Sequence, residues 1–190
     1  MMLSFNGKGV FYLKKNHIIS FNTYAIVSMA LFAALSIVFG KYFAFNITSA
    51  IRISLENIPI IIAAVAYGPI AGAIVGATAD LIGCLLVGYE INPIITLGAA
   101  SIGLISGICY IAIKKITDKT ILHSIVSVIP AHIIGSVIIK TTGLYIYYKL
   151  PLWFTLSTRA LTYAIIATAE IIILQGIFKS KILQKISKRH

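Results

Sequence analysis

The sequence has few charged residues, and this shortage excludes most soluble proteins. Only 11% of its 190 residues are charged, and the whole chain contains five acidic residues. Hydrophobic residues make up 59% of the chain, and the mean hydropathy is +0.98. A soluble globular domain carries about 25% charged residues, so we expect an integral membrane protein. The predicted fold class is an all-α polytopic membrane protein with a single domain.

The sequence also lacks the motifs that indicate catalysis. We find no GxxxxGK[ST] phosphate-binding loop and no HExxH, CxxC or GxSxG motif. We therefore expect no catalytic residues, no metal site, no cofactor and no ATP hydrolysis by this chain itself. Cys84 and Cys109 belong to different apolar segments, where we interpret them as small packing residues and not as a disulfide.

Long apolar runs predict a single bundle of six transmembrane helices. A span needs roughly 20 mostly apolar residues, so a chain of this length has room for little else. The predicted spans cover about 24–43, 47–67, 69–87, 94–113, 120–145 and 153–178. Residues 1–20 are expected to form a cytoplasmic segment with a short helix on the membrane surface, and 179–190 a basic cytoplasmic tail.

The positive charges indicate the orientation of the bundle. The formal net charge is +11, yet the basic residues cluster at the two ends and in one internal loop. With both termini in the cytoplasm, eleven of the sixteen Lys and Arg lie inside (residues 8, 14, 15, 114, 115, 119, 179, 181, 185, 188 and 189). A nucleic-acid surface would not alternate in this way, so we expect membrane lipid and no nucleic acid as a partner.

Seven polar residues are candidates for a ligand site in the outer half of the bundle. They are Arg52, Glu56, Asp80, Asn92, Thr96, Lys140 and Arg159. Charged groups at membrane depth usually face a cavity or a partner, and helices of alternating direction bring these residues to similar depth. A guanidinium binds carboxylates, and a carboxylate accepts from paired N–H donors. The set predicts an elongated ligand whose polar ring meets Asp80 and whose acidic tail meets Arg159 with Arg52 or Lys140.

The same charges permit a second interpretation, in which internal ion pairs hold the bundle together. Arg52 and Glu56 are four residues apart, one helical turn, and Asp80 would need one basic partner. Arg159 and Glu170 share a helix face but lie on the order of 16 Å apart, so each needs another partner. We interpret His132 as a packing residue.

Small residues at helical spacing mark three helices for close packing. They are Ala30 and Ala34 in the first span, Gly72, Gly76 and Gly83 in the third, and Thr96, Ala99, Gly103 and Gly107 in the fourth.

Three stretches together resemble a known family. They are IRISLENIPIIIAAVAYGPIAGAIVGATADLIG from Ile51 to Gly83, INPIITLGAASIGLISG from Ile91 to Gly107, and the LP...R pattern of Leu150, Pro151 and Arg159. The sequence resembles the substrate-binding S components of energy-coupling factor (ECF) vitamin transporters, and among these most closely the folate-specific ones.

The resemblance implies a non-catalytic subunit that captures folate with high affinity outside a prokaryotic cell membrane. ATP would be hydrolysed by two ATPase subunits, and a transmembrane coupling subunit would dock on Ala30 and Ala34. Alternatives are an S component for pantothenate, riboflavin or thiamine, or a self-sufficient secondary carrier, although no internal repeat supports a carrier. A membrane enzyme or scaffold would rest on His132 and Glu170 alone.

Overall fold

The computed structural model describes residues 3–6, 10–13, 21–46 and 52–180, with side chains described for 21–45 and 53–180. Within these residues the chain is a bundle of helices with two short antiparallel hairpins. The helices are α1 (Thr23–Lys41), α2 (Asn57–Tyr67), α3 (Pro69–Val87), α4 (Pro93–Lys114), α5 (Thr120–Ala131), a π-helix (His132–Ile139), α6 (Lys140–Tyr148) and α7 (Leu152–Lys179). The strands are β1 (Leu3–Asn6), β2 (Val10–Leu13), β3 (Phe45–Asn46) and β4 (Arg52–Ile53).

Among the residues that the structure describes, five helical segments are long and apolar enough to cross a membrane. They are α1, α3, α4, α7 and the continuous stretch Thr120–Tyr148, which joins α5, the π-helix and α6. The predicted class of a helical membrane protein is therefore confirmed. The orientation, with both termini in the cytoplasm, stays a prediction, and residues 181–190 of the basic tail lie outside the described part.

The second predicted span is wrong in its outer half. α2 begins at Asn57 and has 11 residues, roughly 16 Å of helix against a hydrocarbon core of about 30 Å. In the stretch predicted as its first turns, β4 pairs with β3. From Ile51 to Glu56 apolar and polar residues alternate, a pattern that suits a strand better than a buried helix. Pro59 consequently lies in the first turn of α2, where its missing N–H costs no helical hydrogen bond.

The predicted surface helix in residues 1–20 is also wrong, because β1 and β2 form an antiparallel hairpin there. The sequence carried a signal for this, since a three-residue connection with glycines at 7 and 9 separates two short stretches rich in apolar residues.

Small residues bring α3 against both α2 and α4. A Cβ added to Gly72 would lie 2.5 Å from Ala64 Cβ on α2 and 2.9 Å from the Gly103 carbonyl on α4. A Cβ on Gly76 would collide with the backbone of Ala99. The predicted close packing of the third and fourth spans is thus confirmed. Gly68, with φ +97°, makes the turn from α2 into α3 that a residue with a side chain rarely adopts.

Proline explains the irregular middle of the fifth span. Pro130 has no N–H to donate within α5, and the π-helix begins two residues later. His132, Ser136 and Lys140 follow one another at intervals of four along this span, and all three are buried.

Candidate functional site

A cavity of about 580 Å³ opens at the end of the bundle that we predict to face outward. The C-terminal ends of α1, α3 and α6 and the N-terminal ends of α2, α4 and α7 surround it. Its lining residues are Lys41, Ser54, Glu56, Asp80, Cys84, Tyr89, Glu90, Asn92, Ile95, Lys140, Leu144, Tyr148, Leu150, Arg159, Thr162 and Tyr163. Five of the seven candidate residues are in this set, and Thr96 contacts it through Asp80. The side chain of the seventh, Arg52, lies outside the described part of the chain.

Asp80 presents a carboxylate to the cavity. Thr96 Oγ1, on α4, donates a 2.7 Å hydrogen bond to Asp80 Oδ2. Among the described side chains Oδ1 accepts no hydrogen bond and Asp80 forms no ion pair, so the basic partner of the second interpretation is not found there. Asp80 lies one helical turn after Gly76, where α3 packs closely against α4. One oxygen is thus fixed while the other is accessible to a ligand.

Lys140 and Glu56 form an ion pair at the floor of the cavity. Lys140 Nζ lies 3.3 Å from Glu56 Oε1, and only 5% of Lys140 is exposed. Two glycines make room for this pair. A Cβ on Gly98 would lie 2.5 Å from Lys140 Cγ, and one on Gly40 would lie 2.6 Å from Glu56 Oε2.

Arg159 is held by two hydrogen bonds and keeps donors for a ligand. Its Nη2 donates to Tyr163 Oη at 3.1 Å, and its Nε donates to the Ser136 carbonyl at 3.3 Å. The guanidinium carbon is 5.2 Å from the centre of the Tyr163 ring, within range of a cation–π interaction. A guanidinium has five N–H donors, so these bonds leave further donors for an anion in the cavity.

Asn92 lines the cavity, but its polar atoms are used by the fold. Its Oδ1 accepts from the backbone N–H groups of Ile94 and Ile95, at 3.0 and 3.3 Å, and so caps α4. Its Nδ2 donates to the Gly143 carbonyl of α6 at 3.3 Å. The structure therefore gives Asn92 a structural task that the sequence-based interpretation had not included.

The structure adds residues to the site that the sequence interpretation had not selected. Lys41, the last residue of α1, places Nζ 5.1 Å from the centre of the Tyr89 ring, in the loop after α3. Glu90 from the same loop lines the cavity. The predicted topology could have identified these residues, because all three lie at the predicted outer ends of spans. Charged and aromatic side chains at those ends surround the mouth of the cavity.

His132 and Glu170 form a buried pair below the cavity. His132 Nε2 lies 2.6 Å from Glu170 Oε2, with side-chain exposures of 3% and 0%. The pair supplies the partner that Glu170 was expected to need, and it shows that interpreting His132 as a packing residue was incomplete. Cys84 and Cys109 are free thiols, as expected.

The site therefore combines three cations and three anions in one cavity: Lys41, Lys140 and Arg159 with Glu56, Asp80 and Glu90. In the part of the chain that the structure describes, no cluster of side chains is arranged to hold a metal ion. Such a mixed set suits a ligand that carries both hydrogen-bond donors and acidic groups.

Comparison with known proteins supports the resemblance seen in the sequence motifs. The sequence profile of the family described as "ECF transporter, substrate-specific component" matches residues 24–183, which is most of the chain. The chain belongs to this family. No curated protein sequence matches it.

Solved structures show the same architecture as this substrate-specific component. The crystal structure of FolT bound with folic acid has a TM-score of 0.67 and 26% sequence identity, and the match covers 82% of this chain and 93% of that one. An S-component for biotin from an ECF-type ABC transporter has a TM-score of 0.63 and 15% identity, with coverages of 84% and 95%. ThiT from Listeria monocytogenes has a TM-score of 0.67 and 19% identity, with coverages of 86% and 96%. The last two likenesses show the fold alone.

Family membership defines the general role of the chain. It is an integral membrane protein that binds a substrate, and it is not a catalyst. Substrate-specific components of ECF transporters bind vitamins and work with the subunits of the ECF module. The enzyme and scaffold alternatives are thereby removed.

Proposed function

We propose that this substrate-specific component captures folate at the outer face of a prokaryotic cell membrane. A transmembrane coupling subunit and two ATPase subunits then complete the transporter. The likeness to FolT, whose structure contains folic acid, and the motifs from Ile51 to Gly107 support this ligand over other vitamins.

The observation that carries the proposal is that one cavity presents both an accessible carboxylate oxygen and guanidinium donors. Asp80 offers one free carboxylate oxygen, and Arg159 offers free guanidinium donors. The pterin ring of folate carries an amino group and ring N–H donors, and its glutamate tail carries two carboxylates. We assign the ring to Asp80 and the tail to Arg159 with Arg52 or Lys140, because charge-assisted hydrogen bonds are then made at both ends.

The size of the cavity fits this ligand class. Small-molecule sites commonly enclose about 300–1,000 Å³, and the cavity measures about 580 Å³. Because three anions balance the three cations of the cavity, its charge does not discriminate against a cationic vitamin such as thiamine, which is a further outcome of the binding test. Tight binding of pantothenate or riboflavin in place of folate would change the assigned ligand and leave the family role unchanged.

Ala30 and Ala34 support the second part of the proposal, docking of the coupling subunit. Both are exposed on α1, whereas the side of α1 that faces the bundle buries Ala25, Met29 and Ala33. Two small residues one turn apart allow a partner helix to approach closely.

Two substitutions test the ligand assignment by isothermal titration calorimetry of folate in detergent. We expect Asp80→Asn and Arg159→Ala each to fold normally and to weaken folate binding at least roughly tenfold, equivalent to about 1.4 kcal/mol. Asp118→Asn and Lys119→Ala are matched controls, because both residues are exposed in the loop at the opposite end of the bundle. Unchanged affinity with lowered thermal stability in the two cavity variants would make these residues structural and refute the assignment.

A further inference from the structure

A buried polar cluster lies directly behind Arg159, and we define it as His132, Ser136 and Glu170. Their relative exposures are 2%, 0% and 0%. His132 accounts for the two side-chain contacts within the cluster, with Nε2 2.6 Å from Glu170 Oε2 and Nδ1 3.1 Å from Ser136 Oγ. The three side chains do not line the cavity.

The cluster contacts the cavity wall at two points. The His132 ring stacks on the Tyr163 ring, with centres 5.1 Å apart and planes 30° apart. Tyr163 in turn accepts the hydrogen bond from Arg159 Nη2. Ser136, which bonds to His132 through its hydroxyl, accepts from Arg159 Nε through its carbonyl. Both hydrogen bonds of Arg159 therefore end on residues that His132 contacts.

Stability alone does not explain this cluster. Taking a carboxylate and an imidazole out of water costs several kcal/mol per ion if both are charged, and apolar replacements are often as stable. Glu170 Oε1 has no hydrogen-bond partner within the described part of the chain, so the burial is not even fully compensated. Buried polar atoms without a partner are rare in native proteins, so this one needs an explanation.

We propose that His132 and Glu170 are positioning residues for ligand recognition. Glu170 fixes the orientation of the His132 ring, the ring fixes Tyr163 and Ser136, and these hold the Arg159 guanidinium towards the cavity. Neither His132 nor Glu170 touches the ligand. The inference rests on the proposed function, because Arg159 is taken to bind the acidic tail of folate.

The test compares folate with its diamide, in which carboxamides of similar shape replace both tail carboxylates. In wild-type protein we expect calorimetry to show a preference for folate of roughly tenfold or more. The double variant His132→Leu with Glu170→Leu removes both partners together, so no charge is left buried alone. It is expected to show a clearly smaller preference for folate, since Arg159 is no longer oriented and only Arg52 or Lys140 remains for the tail.

Two further variants separate positioning from general damage. Leu174→Ala, one turn beyond Glu170 on α7, should lower the melting temperature and keep the preference, because Leu174 is fully buried and outside the cluster. In an Arg159→Ala background the preference should already be reduced to the part that Arg52 or Lys140 supplies, and the double variant should change it no further. Should the double variant not fold, Glu170→Gln keeps the side-chain volume and is expected to reduce the preference by a smaller factor.

The proposal is overturned if the double variant, or Glu170→Gln in its place, keeps the wild-type preference for folate over the diamide. It is equally overturned if affinity for both ligands falls by the same factor, which is the result of a merely structural role. The folate assignment is tested separately by the wild-type titration. If wild-type protein does not bind folate at all, the proposed function is refuted before any variant is compared.

Discussion

Gly72→Ala tests the close packing of α2, α3 and α4 on which the cavity depends. The added methyl carbon would lie 2.5 Å from Ala64 Cβ and 2.9 Å from the Gly103 carbonyl oxygen. Carbon atoms in ordinary contact are about 3.5–4.0 Å apart, so α3 must withdraw by about 1 Å from helices on two sides. Overpacking of this kind costs about 1–3 kcal/mol, and the better helix propensity of alanine returns up to about 1 kcal/mol. Because the added carbon meets Ala64 Cβ and a backbone carbonyl, which cannot rotate away, the cost lies in the upper part of this range and the net destabilisation is roughly 1–2 kcal/mol.

Thermal unfolding in detergent measures this effect, and Gly176→Ala is the matched control. Gly176 lies inside α7, and a Cβ added there would meet nothing within 4 Å. The control should therefore leave the melting temperature unchanged or raise it slightly, whereas Gly72→Ala should lower it by several degrees. Equal melting temperatures for Gly72→Ala and wild type would refute the packing argument, because the backbone approach would then not be as close as described.

The remaining expectations concern the cap, the docking surface and the carrier alternative. Asn92→Ala should destabilise the protein by roughly 1–2 kcal/mol, since it removes the cap of α4 and a bond to Gly143; chemical denaturation checks this, and an unchanged midpoint would contradict it. Replacing Ala30 or Ala34 by Phe should abolish uptake in cells that contain the ECF module and leave folate affinity of the isolated protein unchanged; equal loss of both would indicate misfolding. Vesicles that contain only this chain should not accumulate folate under an ion gradient, and accumulation would favour a self-sufficient carrier.

Hydropathy predicted the helices that have uniform apolar sequence. α1, α3, α4 and α7 begin and end close to their predicted positions, because each is a run long enough to cross the bilayer. The same criterion failed at residues 47–56, where three isoleucines and a leucine raise the average hydropathy although apolar and polar residues alternate from 51 to 56. Strand pairing of β3 with β4 depends on two short segments that meet in space, and a window average does not detect this.

The sequence was sufficient to predict which residues line the candidate site, but not which of them contact one another. Helix direction and charge at membrane depth were enough to select Asp80, Lys140 and Arg159, which all line one cavity. Which partner each residue chooses depends on side-chain positions across helices. Glu56 contacts Lys140, 84 residues away, and Glu170 contacts His132, 38 residues away. The first contact joins the start of α2 to α6 and the second joins the π-helix to α7, and no local sequence pattern specifies which helices meet.

The most direct test of the account is calorimetry of the wild-type protein against a panel of vitamins. Protein purified without added ligand, and freed of any retained pterin, should bind folate tightly with a stoichiometry of one and should bind thiamine, riboflavin, biotin and pantothenate much more weakly. Undetectable folate binding, together with tight binding of another vitamin, would contradict the ligand assignment and leave the family role unchanged.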